Sequence, residues 1–187
     1  TFQRFGLPVP STVLTKDLTR LAKLCLETKP KKILVLGDLV HSRVGVTSAV
    51  VEEVAAFFAL TGVEMILVRG NHDRAFQVPA SWPIEVIDGW LDEGPFRFTH
   101  EGAEATDRFL WEGHLHPLVD FRGAGDRMRL PCFWLRQGSL VLPAFSAFTR
   151  GQNVNPSRGD QIFALAEGDL FEIPLSSGAL GRAQPPC

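Results

Sequence analysis

Four short stretches decide how this chain folds: Val35-Leu36-Gly37-Asp38, Gly70-Asn71-His72-Asp73, Phe98-Thr99-His100 and Gly113-His114-Leu115-His116. Each follows a run of aliphatic, β-branched or aromatic residues, at 32–36, 65–69, 95–99 and 108–112, and each run reads as a strand. The polar groups therefore stand at or just past the carboxyl ends of four strands. If the strands are neighbours, an Asp, an Asn and three His converge on one edge of the sheet. Carboxylate, amide oxygen and imidazole all suit divalent metal, so the pattern predicts a metal centre. All five histidines of the chain (His41, His72, His100, His114 and His116) lie within these stretches or three residues away.

Around the stretches the chain changes character. Ser11 is a candidate N-cap, and Leu14, Leu18, Leu21 and Cys25 repeat at helical spacing up to Thr28, with Pro30 as a stop. A buried strand over 33–36 follows. Thr47 or Ser48 is placed to cap a second helix over 49–60, with Val50, Val54, Phe57 and Phe58 on its core face and Gly62 ending it. Strand, helix and strand in this order predict a parallel, right-handed βαβ unit. After it come short strand candidates at 82–88, 95–99, 108–112, 118–122, 131–136, 140–143, 161–166 and 170–173, with no intervening helix. Glu167-Gly168-Asp169 has the composition of a hairpin turn. The expectation is a βαβ-like N-terminal half and a mostly antiparallel C-terminal half.

A chain of 187 residues, 45% hydrophobic and 21% charged, is ordinary for a single globular domain. The expected domain is 1–175, with the Ser-, Gly- and Pro-bearing stretch 176–187 as a tail. No apolar run is long enough for a membrane span. Three scattered cysteines (Cys25, Cys132 and Cys187) predict a reducing, cytoplasmic setting without a disulfide frame. The net charge of −2 is unevenly spread: residues 85–112 carry eight acids against two arginines, whereas 117–158 carry six arginines against two acids. The all-arginine basic half suits either bidentate phosphate contacts or solvated loops. Its interleaved Phe121, Phe133, Trp134, Phe145 and Phe148 are candidates for base stacking or, more commonly, core.

The ordered set Gly-Asp, Gly-Asn-His-Asp, lone His and Gly-His-x-His, spanning residues 33–116, resembles the calcineurin-like metallophosphoesterases. The resemblance implies a mixed α/β (α+β) fold, a β-sandwich flanked by helices, and a centre of two divalent metals. It assigns Asp38, Asn71, His100 and His114 to one metal, and Asp38 with His116 to the other. A shared carboxylate between cations roughly 3.5–4 Å apart offsets their repulsion. That second site needs an Asp-x-His motif at the end of a first strand. No histidine precedes His41, so the motif and its strand are missing from the chain shown and are expected upstream of Thr1. The two rings of a His-x-His strand end point to opposite faces, so a loop conformation must bring His114 and His116 together.

By the same resemblance, His72 is catalytic and not a ligand: it donates a proton to the leaving oxygen or stabilises phosphoryl charge, while Asp73 orients its ring. The nucleophile is a hydroxide bridging the metals, and the chain has no Gly-x-Ser-x-Gly or nearby Cys/His pair to suggest another. His41, Arg43 and Arg74 are candidate substrate contacts, with His41 alternatively supporting a ligand.

Longer stretches, Gly37 to Arg43, Arg69 to Arg74, Gly113 to Pro117, Leu130 to Trp134 and Leu142 to Thr149, are similar to the bacterial ligase-associated DNA-damage-response endonucleases of the PdeM type. This implies a manganese-supported phosphodiesterase or endonuclease acting on DNA, associated with a DNA ligase and a helicase in repair. Zinc, iron and magnesium are the other candidate metals. Two further readings stay open: a phosphomonoesterase acting on nucleotides or phosphoproteins, and a metal-poor binding scaffold. The pI of 6.2 argues against a protein that coats DNA broadly.

Overall fold

The computed structural model describes residues 11–40, 46–102, 106–123, 126–147 and 149–175. His41 and Arg43 lie outside them, as does the tail. Helix α1 spans Ser11–Thr28 and turns Leu18, Leu21, Ala22 and Cys25 to the core. Lys29, in the left-handed conformation at φ 48°, ends it one residue before Pro30. Strand β1 (Lys32–Leu36), helix α2 (Ser48–Thr61) and strand β2 (Glu64–Val68) form the expected βαβ unit, with β1 and β2 parallel from Lys32↔Glu64 to Leu36↔Val68.

Both ends of α2 are capped as the sequence suggests. The Thr47 hydroxyl accepts from the Val50 N–H at 3.4 Å. The Gly62 N–H donates to the Phe58 carbonyl at 2.9 Å with Gly62 left-handed. Val51, Val54, Phe57 and Phe58 face the core, so Val51 takes the place expected of Val50. Trp82 closes this core from the side, and its Nε1–H donates to the Val51 carbonyl at 3.0 Å.

Strand β3 (Ile84–Ile87) pairs parallel with β2, extending the parallel sheet to the order β1-β2-β3. The chain thus stays parallel one strand longer than its composition indicates. β1 occupies an edge of this sheet and is half-buried along its length, not fully buried.

The second sheet has nine strands among the described residues: β4 (Trp90–Glu93), β5 (Phe96–Thr99), β6 (Phe109–Glu112), β7 (Pro117–Gly123), β8 (Asp126–Arg136), β9 (Ser139–Val141), β10 (Gln152–Asn153), β11 (Gln161–Ala166) and β12 (Asp169–Ile173). They run in the order β10-β7-β8-β9-β6-β5-β4, with β11 on β8 and β12 on β11. Most pairs are antiparallel, as expected. However, β5·β6, β6·β9 and β7·β10 are parallel. The parallel pair β5·β6 matters most here, because it delivers His100 and His114 to one edge. The β11–β12 turn places Glu167 and Gly168 at positive φ, as a two-residue hairpin requires. A smaller core of Val119, Cys132, Ile162 and Ala164 lies under β8 and β11, with Trp134 packed on it.

Candidate metal centre

The two sheets meet where the carboxyl ends of β1 and β2 face those of β5 and β6. After β1, Gly37 (φ 82°) and Asp38 (φ 56°) both turn left-handed, lifting the Asp38 carboxylate off the sheet. Only glycine fits position 37, where a Cβ would stand 2.1 Å from Nδ1 of His100. At Gly70 a Cβ would stand 2.4 Å from Oδ1 of Asp38. The motif glycines are thus the places where the loops press together. The His114 N–Cα bond (φ 50°) and that of His116 (φ 46°) are also left-handed, the loop conformation that the His-x-His spacing demands.

Asp73 holds the loops in register. It is fully buried. Its Oδ2 accepts from the N–H groups of Asp38 (2.7 Å) and Gly70 (2.9 Å), and its Oδ1 from Val40 N–H (3.1 Å). A carboxylate with three backbone donors is a strong fixed point. These contacts tie the loop after β1 to the loop after β2. Arg69 braces the same turn, bonding the carbonyls of Asp73 and Phe76 and the Asp88 carboxylate.

Within this frame four side chains converge. Nε2 of His100 lies 2.9 Å from Oδ1 of Asn71, 2.9 Å from Nδ1 of His114 and 3.6 Å from Oδ1 of Asp38. Ligand atoms of Asp38, His100 and His114 all fall within 4.8 Å of one another. The protonation pattern explains why they gather. Nδ1 of His100 is 2.8 Å from the Leu36 carbonyl, which fixes its proton there and leaves Nε2 a bare lone pair in the neutral ring. That lone pair then faces the Asn71 amide oxygen, another acceptor. Lone pairs at this distance repel unless a cation or a second proton sits between them. The donor set therefore fits a divalent metal, and binding competes with protons.

His116 stands outside the tight group, though near enough for the charges of Asp38, His100 and His114 to act on it. Burial, partly offset by the hydrogen bond from its Nδ1–H to the Arg150 carbonyl at 3.1 Å, holds its pKa below the usual histidine range. It is thus a neutral ring with Nε2 available. His72 is exposed beside the cluster, and its backbone N–H donates to Oδ1 of Asp38 at 3.1 Å. A groove of about 610 Å³ opens next to the cluster, lined among others by Arg69, Asn71, Arg74, Asp88, His100 and Glu101. Arg74, a candidate substrate contact, is among the lining residues. Arg69, Asp88 and Glu101 belong to the groove without having been singled out by sequence.

Elsewhere, two of the six arginines of the basic half are engaged within the sheet. Arg129 pairs with Asp120, and Arg136 bonds Glu112 and Ser139 while lying over the Trp134 ring. Phe145 is exposed but carries the Arg20 guanidinium 3.9 Å from its ring centroid. Cys132 is fully buried, and burial pushes its thiol up to about 12; burial raises the Cys25 thiol as well. Neither is a nucleophile at neutral pH. No helix among the described residues is long and apolar enough to cross a membrane.

Comparison with known proteins agrees with this geometry. No curated protein matches the chain. Among solved structures, the crystal structure of a nuclease MPE from Pseudomonas putida is 32% identical, covers 85% of this chain and 78% of its own, and superposes with a TM-score of 0.76. Residues 14–136, more than half of the chain and all of the converging side chains, match the calcineurin-like phosphoesterases. The chain belongs to that family of metal-binding hydrolases.

Proposed function

We propose that the protein is a divalent-metal-dependent phosphodiesterase acting on nucleic acid, a nuclease, with Asp38, Asn71, His100 and His114 holding one cation and Asp38 and His116 contributing to a second. The observation that carries this reading is the convergence of side-chain oxygen and nitrogen atoms of Asp38, Asn71 and His114 on Nε2 of His100. Cations held there supply the acidity that makes water a nucleophile at neutral pH. The chain's own residues do the rest. Asp73 fixes the Asp38 loop against the Asn71 loop. Arg74, on the groove wall, draws in the phosphoryl oxygens. His72, exposed at the rim, gives a proton to the leaving oxygen. His41 and Arg43, between β1 and α2 in the sequence, are further candidates to touch substrate.

The nucleic-acid substrate is supported by the likeness to the Pseudomonas putida nuclease. Manganese, a role in DNA repair beside a ligase and a helicase, and a cytoplasmic location are the finer parts of the proposal, and they rest on the sequence resemblance and the scattered cysteines. Hydrolysis of bis-p-nitrophenyl phosphate and of p-nitrophenyl phosphate by the full-length protein, with and without Mn²⁺, tests the reading. The expected result is Mn²⁺-dependent cleavage that favours the diester and stops with chelator. Preference for the monoester would make the protein a phosphomonoesterase. Bound metal without turnover of either compound would make it a scaffold.

A further inference from the structure

His114 is gripped on both sides of its ring by two consecutive residues. Its Nδ1 lies 2.9 Å from Nε2 of His100. Its Nε2 lies 3.4 Å from Oε1 of Glu101. A neutral imidazole has one N–H, and whichever nitrogen loses it becomes the ligand. When a cation takes the Nδ1 lone pair, the proton must sit on Nε2, and the Glu101 carboxylate beside that nitrogen is placed to stabilise it. We propose that Glu101 is a positioning residue for the metal centre: it selects the Nε2–H tautomer of His114 and makes Nδ1 a stronger donor. This rests on the metal-centre reading above and names a residue that the motifs do not contain.

The neighbouring histidines show why a side chain is needed here. His100 has its Nδ1–H held by the Leu36 carbonyl, and His116 has its Nδ1–H held by the Arg150 carbonyl. In each, backbone fixes the tautomer and leaves Nε2 bare. His114 must present the opposite nitrogen, and the Glu101 carboxylate stands 3.4 Å from its far side. Glu101 reaches this place because it follows His100 directly at the end of β5, whose parallel neighbour β6 leads into His114. Its side chain remains 65% exposed, so it adds little to the core and its replacement should leave the fold standing.

The test compares the parent, Glu101→Ala, Glu101→Gln and His114→Ala by titration with Mn²⁺, reading free Mn²⁺ by electron paramagnetic resonance. Partners that orient metal-binding histidines are typically worth about 10–100-fold in affinity. Glu101→Ala should weaken Mn²⁺ binding by that amount. Glu101→Gln, which keeps an acceptor oxygen and loses the charge, should weaken it less. Nitrogen-15 spectra of the proteins loaded with diamagnetic Zn²⁺ should show a His114 Nε2–H proton that is shifted downfield and exchanges slowly in the parent, and that is lost to exchange in Glu101→Ala, a signature that a merely structural role would not move. Parent-like affinity and a parent-like Nε2–H signal in Glu101→Ala, with affinity lost in His114→Ala, would overturn the role of Glu101 alone. Parent-like affinity in His114→Ala as well would overturn the metal centre on which it rests.

Discussion

Alanine in place of Asp73 is expected to destabilise the protein by about 4 kcal/mol or more, among the larger effects a single substitution produces. For a chain of this size that lowers the melting temperature by roughly 8–16 °C. The reason is the number of donors left behind. Three backbone N–H groups, of Asp38, Gly70 and Val40, end on one fully buried carboxylate. Hydrogen bonds to a charged group contribute about 1.5–3 kcal/mol each, and the orphaned donors keep their desolvation cost. Asparagine should fall between parent and alanine: its oxygen can replace Oδ2 for two donors, but its NH₂ then faces the Val40 N–H. Metal affinity should fall in both variants, because the Asp38 and Asn71 loops lose their common anchor. Calorimetry on metal-free protein checks the first part. A melting temperature within about 3 °C of the parent would show that the loops hold together without this staple.

His72→Ala should have the opposite profile. Metal binding and melting temperature should change little, because His72 is exposed and is assigned to proton transfer, not coordination. Turnover should fall by roughly 10²–10⁴-fold, the usual size of a general acid–base contribution. The fall should be smaller for a p-nitrophenyl diester than for DNA, since nitrophenolate leaves without a proton and a sugar alkoxide does not. Steady-state rates on both substrates, at saturating Mn²⁺, make the comparison. Equal losses on both would remove the leaving-group role. Loss of metal would make His72 a ligand.

The division between what the residues reveal and what they conceal follows the physics of each element. Asp38, Asn71, His100 and His114 were legible because each sits just past an apolar run, and a polar residue at a strand's carboxyl end has few structural reasons to be there. The βαβ unit was legible from periodicity and caps. Strand β4 was not: Trp90-Leu91-Asp92-Glu93 is acidic, lies between two glycines and follows β3 after a short turn. Its Asp92 becomes intelligible only across the ladder, where Arg97 bonds both carboxylate oxygens and holds the pKa of Asp92 below the usual range. β10, two residues long, carries no pattern at all.

Among the charges, sequence shows sign and spacing but not partners. Arg129 and Arg136, counted in the basic half, turn out to answer Asp120 and Glu112. The resemblance assigns Asp73 to the His72 ring, and nothing in the motif shows that its carboxylate also reaches back to the Asp38 loop. Glu101 follows a motif histidine and matches no motif, so only the distance to the far nitrogen of His114 distinguishes it from any exposed glutamate.

The proposed function requires the donor atoms around Nε2 of His100 to hold a metal. Anomalous diffraction at the manganese edge from crystals grown with Mn²⁺ tests it most directly. The expected result is a peak within bonding distance of Oδ1 of Asp38, Oδ1 of Asn71, Nε2 of His100 and Nδ1 of His114, with His72 outside the coordination sphere. Anomalous density elsewhere, with Asn71, His100 and His114 still in mutual contact and no cation among them, would contradict it.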